Sequence, residues 1–316
     1  MGLTFSRGEI STSAEISQAA QIACFLDVLA EKPGNVSLTK KFSDAGFQDF
    51  ILSAIAIGPA LSGAGAVSVG ETVLQAVQAT RKLVSTNTNL GIVLLLVPLA
   101  KAYGLGELRQ NLPKVLGDLT VSDAQKVFEA VQLASPGGLG RVSRGDVHET
   151  AEMTLREAMF LARDRDSIAR EYVTDFELVF SLGYPSLCQH YRESGSITQA
   201  IVQAFLEILA KIPDSLIARK TNRIMAEYIS QLARKVLDLG GIYSQKGQAE
   251  ILQFDNTLRK TGSLLNPGTT ADLIVASIFV ALLEGTISLQ LYCGERREIS
   301  ETVNQCGEWL GSSESY

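Results

Sequence analysis

Apolar residues recur at three- and four-residue spacing along nearly the whole chain, interrupted by Pro, Gly and Asn, and strand-like alternation is nearly absent. That period buries one stripe of a helix and does not suit a strand, whose side chains alternate every second residue. Thr12 and Glu15 have capping-box spacing, and Ala19, Ile22, Ala23, Leu26 and Leu29 or Ala30 continue a stripe that Lys32-Pro33-Gly34 stops. A second helix is expected from near Ser43 or Asp44. It places Phe47, Phe50, Ile51, Ala54 and Ile55 on one face and Asp49 and Ser53 on another, ending at Gly58-Pro59. Ser68 and Glu71 form another capping box before Val73, Leu74, Val77 and Leu83, and Asn87-Thr88-Asn89 is a polar break. The apolar run from Leu90 contains Pro98, which is expected to kink it.

Further helices are expected at about 107–116, 122–134, 154–165, 167–182, 196–211, 215–239, 247–262, 270–292 and 300–311. Ser122 with Gln125 and Thr154 with Glu157 repeat the capping-box spacing at two of these starts. The pattern predicts an all-α fold, a single multi-helix domain of about a dozen helices over residues 1–316. The clearest irregular segment, 135–148, is rich in Gly and Arg and reads as a domain linker or a ligand loop. No composition shift separates its flanks, which favours a functional loop within one domain.

Hydrophobic residues at 46% and charged residues at 20% are enough for a core and exclude the disordered regime. The 28 basic and 34 acidic side chains leave a net charge of −6 with no basic run, so nucleic acid is not an expected partner. A small anionic ligand stays compatible, because local charge and backbone N–H groups decide its binding. Cys24, Cys188, Cys293 and Cys306 are scattered without a CxxC pair or a nearby histidine, so reduced thiols are expected rather than a zinc cluster or disulfide framework. Met1 to Glu9 does not read as a secretion signal. The apolar stretches Leu90 to Ala100 and Ile274 to Leu283 fall short of the roughly 20 residues that cross a bilayer. These features predict buried core helices, no membrane partner and a cytoplasmic location.

Gly140-Arg141-Val142-Ser143-Arg144-Gly145 has the glycine spacing of a Walker A loop, but Asp146 and Val147 stand where Lys and Ser or Thr are required. It is not a P-loop, and a phosphate contact through Arg141 or Arg144 stands beside a plain solvated loop. His148 and His190 lack companions for a metal or nucleophile site and read as surface or structural residues. Arg163, Asp164, Arg165, Asp166, Arg170 and Glu171 alternate in sign, as a solvated helix face does.

Three segments combine turn glycines, small polar residues and a carboxylate next to an expected helix start, where exposed N–H groups could hold an anion. They are Glu31-Lys32-Pro33-Gly34-Asn35, Thr86-Asn87-Thr88-Asn89-Leu90-Gly91 and Asn266-Pro267-Gly268-Thr269-Thr270-Ala271-Asp272. Taken singly, each is a cap or a turn.

In order, Lys32-Pro33-Gly34, Asp49, Glu71, Asn87-Thr88 with Gly91, Asp214-Ser215 with Arg219, and Pro267-Gly268 with Ala271-Asp272-Leu273 resemble the signature of the triphosphoribosyl-dephospho-CoA synthase family over roughly residues 15–285. The chain departs from the family's Asn-Thr-His-Lys-Gly turn, having Asn89 and Leu90 instead, and its Lys-Pro-Gly turn continues Asn35-Val36-Ser37-Leu38. It therefore resembles a divergent member whose substrate could have changed.

The resemblance implies a transferase of cofactor biosynthesis that moves the triphosphoribosyl group of ATP, or of a related phosphoribosyl donor, to an acceptor hydroxyl such as that of dephospho-CoA, releasing adenine. Such a displacement needs carboxylates for proton transfer and Mg²⁺ for the triphosphate. The implied roles are metal or general-base work for Asp49 and Glu71, and metal or ribose binding for Asp272. Lys32 and Arg219 would contact phosphates, Asn87, Thr88 and Asn89 sugar or phosphate, and Gly34, Asn35, Asn266 and Gly268 would likewise bind substrate or its phosphates. Capping by Glu71 and Asp272 and a solvated Asp49 are the plain alternatives. An N-glycosidic or phosphoribosyl hydrolase and a non-catalytic nucleotide-binding protein are the rival functions, and the oligomeric state is open.

Overall fold

A computed structural model describes residues 12–287. Its elements are α1 (Thr12–Leu29), α2 (Phe47–Ser62), α3 (Val69–Leu83), α4 (Leu90–Gly104), α5 (Leu108–Gly117), α6 (Val121–Ala134), α7 (Leu155–Ala162), α8 (Ser167–Val173), α9 (Tyr184–Ser194), α10 (Ile197–Lys211), α11 (Ser215–Lys220), α12 (Arg223–Asp238), α13 (Gln245–Arg259) and α14 (Gly268–Leu283). The described residues contain no strand, so the fold is all-α as the periodicity predicts.

Two helices organise the rest. In α4 and α14 apolar residues surround the axis rather than marking one stripe, which is the signature of a helix enclosed by neighbours. α14 packs against α1, α4, α9 and α10, and one continuous buried cluster runs through all of them. Asp272 is the only charged residue of α14, so a carboxylate sits at the start of the most enclosed helix. Among the described residues no single helix is long and apolar enough to cross a membrane.

The expected helix boundaries need five corrections. α2 runs through Gly58-Pro59 to Ser62 instead of stopping there. Pro59 has no N–H for Ile55 O, and Gln21 Nε2 of α1 donates to that carbonyl at 3.2 Å. Gly58 permits the approach: a Cβ there would lie 2.4 Å from Gln21 Nε2. The span expected at 215–239 is broken between α11 and α12, where Asn222 caps Met225 N at 2.9 Å. The start of α6 is capped by Thr120 and Asp123 rather than by Ser122 and Gln125. Gln125 instead accepts from Ala151 N at 3.0 Å.

The fourth correction is the span 167–182. α8 ends at Val173, a π turn occupies Val179–Gly183, and α9 follows where no helix is assigned from the sequence. Asp175 and Phe176 take positive φ, and the fully buried Glu171 accepts from Leu178 N at 3.0 Å and Val179 N at 2.9 Å. A buried carboxylate thus satisfies the amides that the broken helix leaves free. The span expected at 270–292 stops early, since α14 ends at Leu283 with Glu284 at its cap and residues 284–287 are not helical, and the expected helix at 300–311, Cys293 and Cys306 lie outside the described residues.

Candidate functional site

The sequence segments singled out above converge on the N-terminal end of α14. Pro267-Gly268 packs against the Lys32-Pro33-Gly34 turn: Gly34 has φ +72°, and a Cβ on it would lie 3.0 Å from Pro267 Cδ and 2.7 Å from Leu258 Cδ1. A Cβ on Gly268 would lie 2.6 Å from Leu216 Cδ2, which brings α11 onto the same end. A Cβ on Gly91 would lie 2.0 Å from Asp272 Oδ2, so the glycine leaves the space that the carboxylate fills. These three glycines are what let four separated segments meet.

Four aspartates gather here, and they are not alike. Asp214 is fully engaged: Oδ1 accepts from Leu216 N at 2.9 Å and Ile217 N at 3.0 Å, and Oδ2 from Thr270 N at 2.7 Å and Thr270 Oγ1 at 2.8 Å. It joins the N-termini of α11 and α14, a structural role, and burial raises its carboxyl against the pull of those bonds. Asp27 Oδ1 lies 3.0 Å from Lys32 Nζ, both buried, in ion-pair contact without hydrogen-bond geometry. Lys32 Nζ also donates to Asp27 O and to Ala30 O. Burial raises the Asp27 carboxyl, and Lys32 opposes it. Asp166 caps α8 through Ile168 N at 2.9 Å and pairs with Arg219 at 2.7 Å.

Asp272 differs from all three, because no hydrogen-bond donor or ion-pair partner reaches its carboxyl among the described residues. Burial first, and then the charges of Asp214, Asp27 and Asp166, hold it well above the ordinary carboxylate range, while Arg219 pulls it down. Cys24, on the turn of α1 before Asp27, has its thiol pushed up by burial and by Asp27 and Asp272, which makes it inert.

Asp272 opens onto a cavity of about 770 Å³. Leu90, Gly91 and Leu94 of α4, Val127, Phe128 and Val131 of α6, and Leu155, Ala158 and Met159 of α7 form an apolar wall. Opposite stand residues 163–170, Ser215, Leu216 and Arg219 of α11, and Thr269. The Gly-rich segment contributes residues between Pro136 and Val147 to the cavity lining. Asp146 holds its shape, accepting from Val142 N at 2.9 Å and His148 N at 2.9 Å, and those bonds lower its carboxyl to about 2. Arg219 Nε donates to Gly137 O at 3.3 Å and ties the loop to α11.

The run from Arg163 to Arg170, which contains the tight connection between α7 and α8, also lines the cavity, while Asp164 and Arg165 stay exposed as a solvated face requires. Of its arginines, Arg170 pairs with Glu177 at 3.3 Å, and Arg163 lies 3.5 Å over the Phe160 ring. Arg141 and Arg165 line the cavity with no carboxylate partner among the described residues. Arg144, the other loop arginine, does not line it.

The remaining sequence candidates divide. Asn87 lines the cavity and accepts from Leu90 N at 3.1 Å. Thr88 lies beside it and shares a hydrogen bond with Ser53 Oγ, which in turn donates to Asp49 O at 2.6 Å. Asn89 is buried and donates to Thr80 Oγ1 at 3.0 Å, joining α4 to α3. Asn35 is buried with its amide on Pro33 O at 3.1 Å, while Asn266 Oδ1 is buried without a hydrogen-bond partner. Lys32 is committed to Asp27 and does not line the cavity.

Asp49 and Glu71 lie outside the cavity lining as well. Asp49 accepts from Gly46 N at 2.8 Å at the start of α2, and Glu71 accepts from Gln75 at 3.0 Å and faces Lys126 at 3.7 Å. Both positions are the third of a helix, where a carboxylate serves the helix end. Asp49, Glu71 and Asp272 therefore do not form one cation cage, and no group of three metal-ligating side chains gathers among the described residues. Among the two histidines, His148 pairs with Asp146 at 2.7 Å, and His190 is buried between Tyr243 Oη at 2.7 Å and Glu207 Oε1 at 2.8 Å.

A helical shell with an unpaired carboxylate lining an arginine-bearing cavity belongs to the class of all-α proteins with a small-molecule site between helices. Residues 13–290 match the ATP:dephospho-CoA triphosphoribosyl transferase family, and the chain belongs to it. A candidate triphosphoribosyl-dephospho-CoA synthase from Archaeoglobus fulgidus has a similar solved structure, with a TM-score of 0.59 and 30% identity, covering 74% of this chain and 99% of that one. The 2-(5''-triphosphoribosyl)-3'-dephosphocoenzyme-A synthase of Klebsiella pneumoniae is 25% identical over 150 residues, 48% of this chain and 45% of that protein. The chain aligns with less than half the length of the curated relatives it matches.

Proposed function

We propose that the protein is a transferase that moves the triphosphoribosyl group of ATP to a hydroxyl of an acceptor of the dephospho-CoA type and releases adenine, acting in the cytoplasm. The observation that carries this reading is Asp272, a half-buried carboxylate without a donor at the floor of a nucleotide-sized cavity in a chain of this family. Ligand cavities run from about 300 to 1,000 Å³.

In the proposed reaction the acceptor hydroxyl forms a C–O bond at the anomeric carbon, and the C–N bond breaks with its electron pair leaving on adenine. The hydroxyl proton passes to Asp272 and is then available to the departing nitrogen, which balances the exchange. A carboxyl raised by burial and by neighbouring carboxylates is a stronger base than an ordinary one, as this step requires. Arg141 and Arg165, without carboxylate partners, are the cations free to meet phosphate oxygens.

Mg²⁺ binds through one or two carboxylates when phosphates and water complete its shell. A carboxylate that holds the cation does not also accept the hydroxyl proton, so Asp272, unpaired and crowded by negative charge, fits a cation held in that way only as the alternative to its role as base. Bound there with the triphosphate, the ion would neutralise phosphate charge. Incubation of the protein with ATP, Mg²⁺ and dephospho-CoA, followed by chromatography, tests the reading. Adenine should appear only with acceptor, and Asp272→Asn should slow its release at least about a hundredfold. Absence of adenine with every CoA-like acceptor refutes the reading, and acceptor-independent release would identify a hydrolase.

A further inference from the structure

The cavity has two chemically different halves. Around Asp272 the lining is mixed, with Ser215, Thr269 and the charged residues of the α7–α8 connection set among Ile168 and Leu216. One helical turn along α4 from Gly91, the lining becomes apolar, with Leu94, Val127, Phe128, Val131, Leu155 and Met159 drawn from three helices. Leu94, Val127, Phe128 and Leu155 are buried even in the absence of ligand, so this wall is fixed by the core rather than assembled on binding. α4 rises about 5.4 Å per turn, so a group bonded to a sugar beside Asp272 and directed along α4 enters the apolar half directly.

The geometry points to a purine-base subsite in this apolar half, formed by Leu94, Val127, Phe128, Val131, Leu155 and Met159, with the anomeric carbon beside Asp272 and the phosphates toward Arg141 and Arg165. The assignment rests on the proposed reaction for its ligand class and adds which half of the cavity holds which part of it. A flat heteroaromatic ring presents apolar faces to such walls, whereas a polyphosphate would lose its hydration there without partners. A base in the apolar half also excludes water from one side of the breaking bond, which favours a hydroxyl acceptor over hydrolysis.

Two half-ligand probes separate the halves: adenosine, which has no phosphate, and inorganic tripolyphosphate, which has no base. In calorimetry Ala158→Phe, which places a ring in the apolar half, should weaken adenosine at least tenfold and leave tripolyphosphate within about twofold. Arg141→Ala should do the reverse. Because a filling variant can fail to fold, Met159→Ala provides a gain of function: the enlarged wall should bind N6-benzyladenosine at least tenfold more tightly than the unaltered protein does.

The assignment is overturned if Ala158→Phe leaves adenosine binding unchanged, if it weakens pantetheine more than adenosine, or if Met159→Ala gains nothing for the bulky base. Its failure is distinct from failure of the transferase reading. Adenine release that persists with adenosine insensitive to the apolar wall refutes only the subsite. A wall-dependent adenosine site in a protein that releases no adenine refutes only the reaction.

Discussion

Replacing Gly91 with Ala should slow turnover on the order of a hundredfold while leaving the protein folded. The added Cβ would lie 2.0 Å from Asp272 Oδ2, 2.6 Å from Asp272 Cγ and 2.7 Å from Ile168 Cδ1. Atoms at 2.0 Å must separate by about 1 Å to reach even a tight contact, and the carboxylate, facing the cavity, is the group that can move. Local overpacking costs about 1–3 kcal/mol, and alanine in place of a helical glycine returns up to about 1 kcal/mol. The net destabilisation is thus within about 3 kcal/mol, a melting shift of under about 12 °C for a domain of this size. A catalytic group misplaced by about 1 Å costs on the order of a hundredfold in rate.

Thermal denaturation and adenine release measured on the same preparation should therefore separate. The double variant Gly91→Ala with Asp272→Asn should be no slower than Asp272→Asn alone, since both substitutions remove the same carboxylate. A folded Gly91→Ala protein with turnover within threefold of the unaltered one would refute the placement of Asp272 in the chemistry.

Lys32→Met leaves the buried Asp27 without its cation and should cost about 3–5 kcal/mol in urea denaturation; Asp27→Asn in the same chain should restore part of it, and full stability of the single variant would show the pair to be dispensable. Glu171, raised by burial to about 7 from an ordinary value of 4.5, folds more favourably when protonated, so its contribution is complete below about pH 4.5 and lost as pH rises through 7. The difference is on the order of 3 kcal/mol, and Glu171→Gln should flatten that part of the melting-temperature profile between pH 5 and 8, an unchanged slope counting against it. Asp146→Asn weakens the turn that shapes the cavity loop, so trypsin should cut after Arg141 or Arg144 faster than in the unaltered protein, with no change expected if the loop is held elsewhere.

The helices were legible because their period and caps are local. Thr154 with Glu157 closes the capping box that its spacing predicts, and Ser68 accepts from Glu71 N as expected. Where the reading failed, the deciding group was distant in sequence. α2 passes through Pro59 because Gln21 of another helix takes the freed carbonyl, and the π turn before α9 exists because Glu171 reaches forward to two amides. Neither donor nor acceptor leaves a mark within the segment it governs. The loop at 135–148 was visible as irregular sequence, but its position at a cavity depends on Arg219, some eighty residues away in sequence, reaching Gly137 O.

The site was half legible for a related reason. Turn motifs announce where the backbone bends closely, and three of their glycines do bring the segments together. What a motif cannot announce is how many donors each carboxylate will meet after folding. Asp214 and Asp272 both lie in such segments and both have raised carboxyls, yet four donors make Asp214 a staple between two helices, while none reaches Asp272. Burying an unpaired carboxylate on an otherwise apolar helix costs stability that packing alone could recover by replacing it. The fold keeps it beside a cavity and reserves a glycine for it on α4, an arrangement that makes sense when a ligand supplies the missing partner.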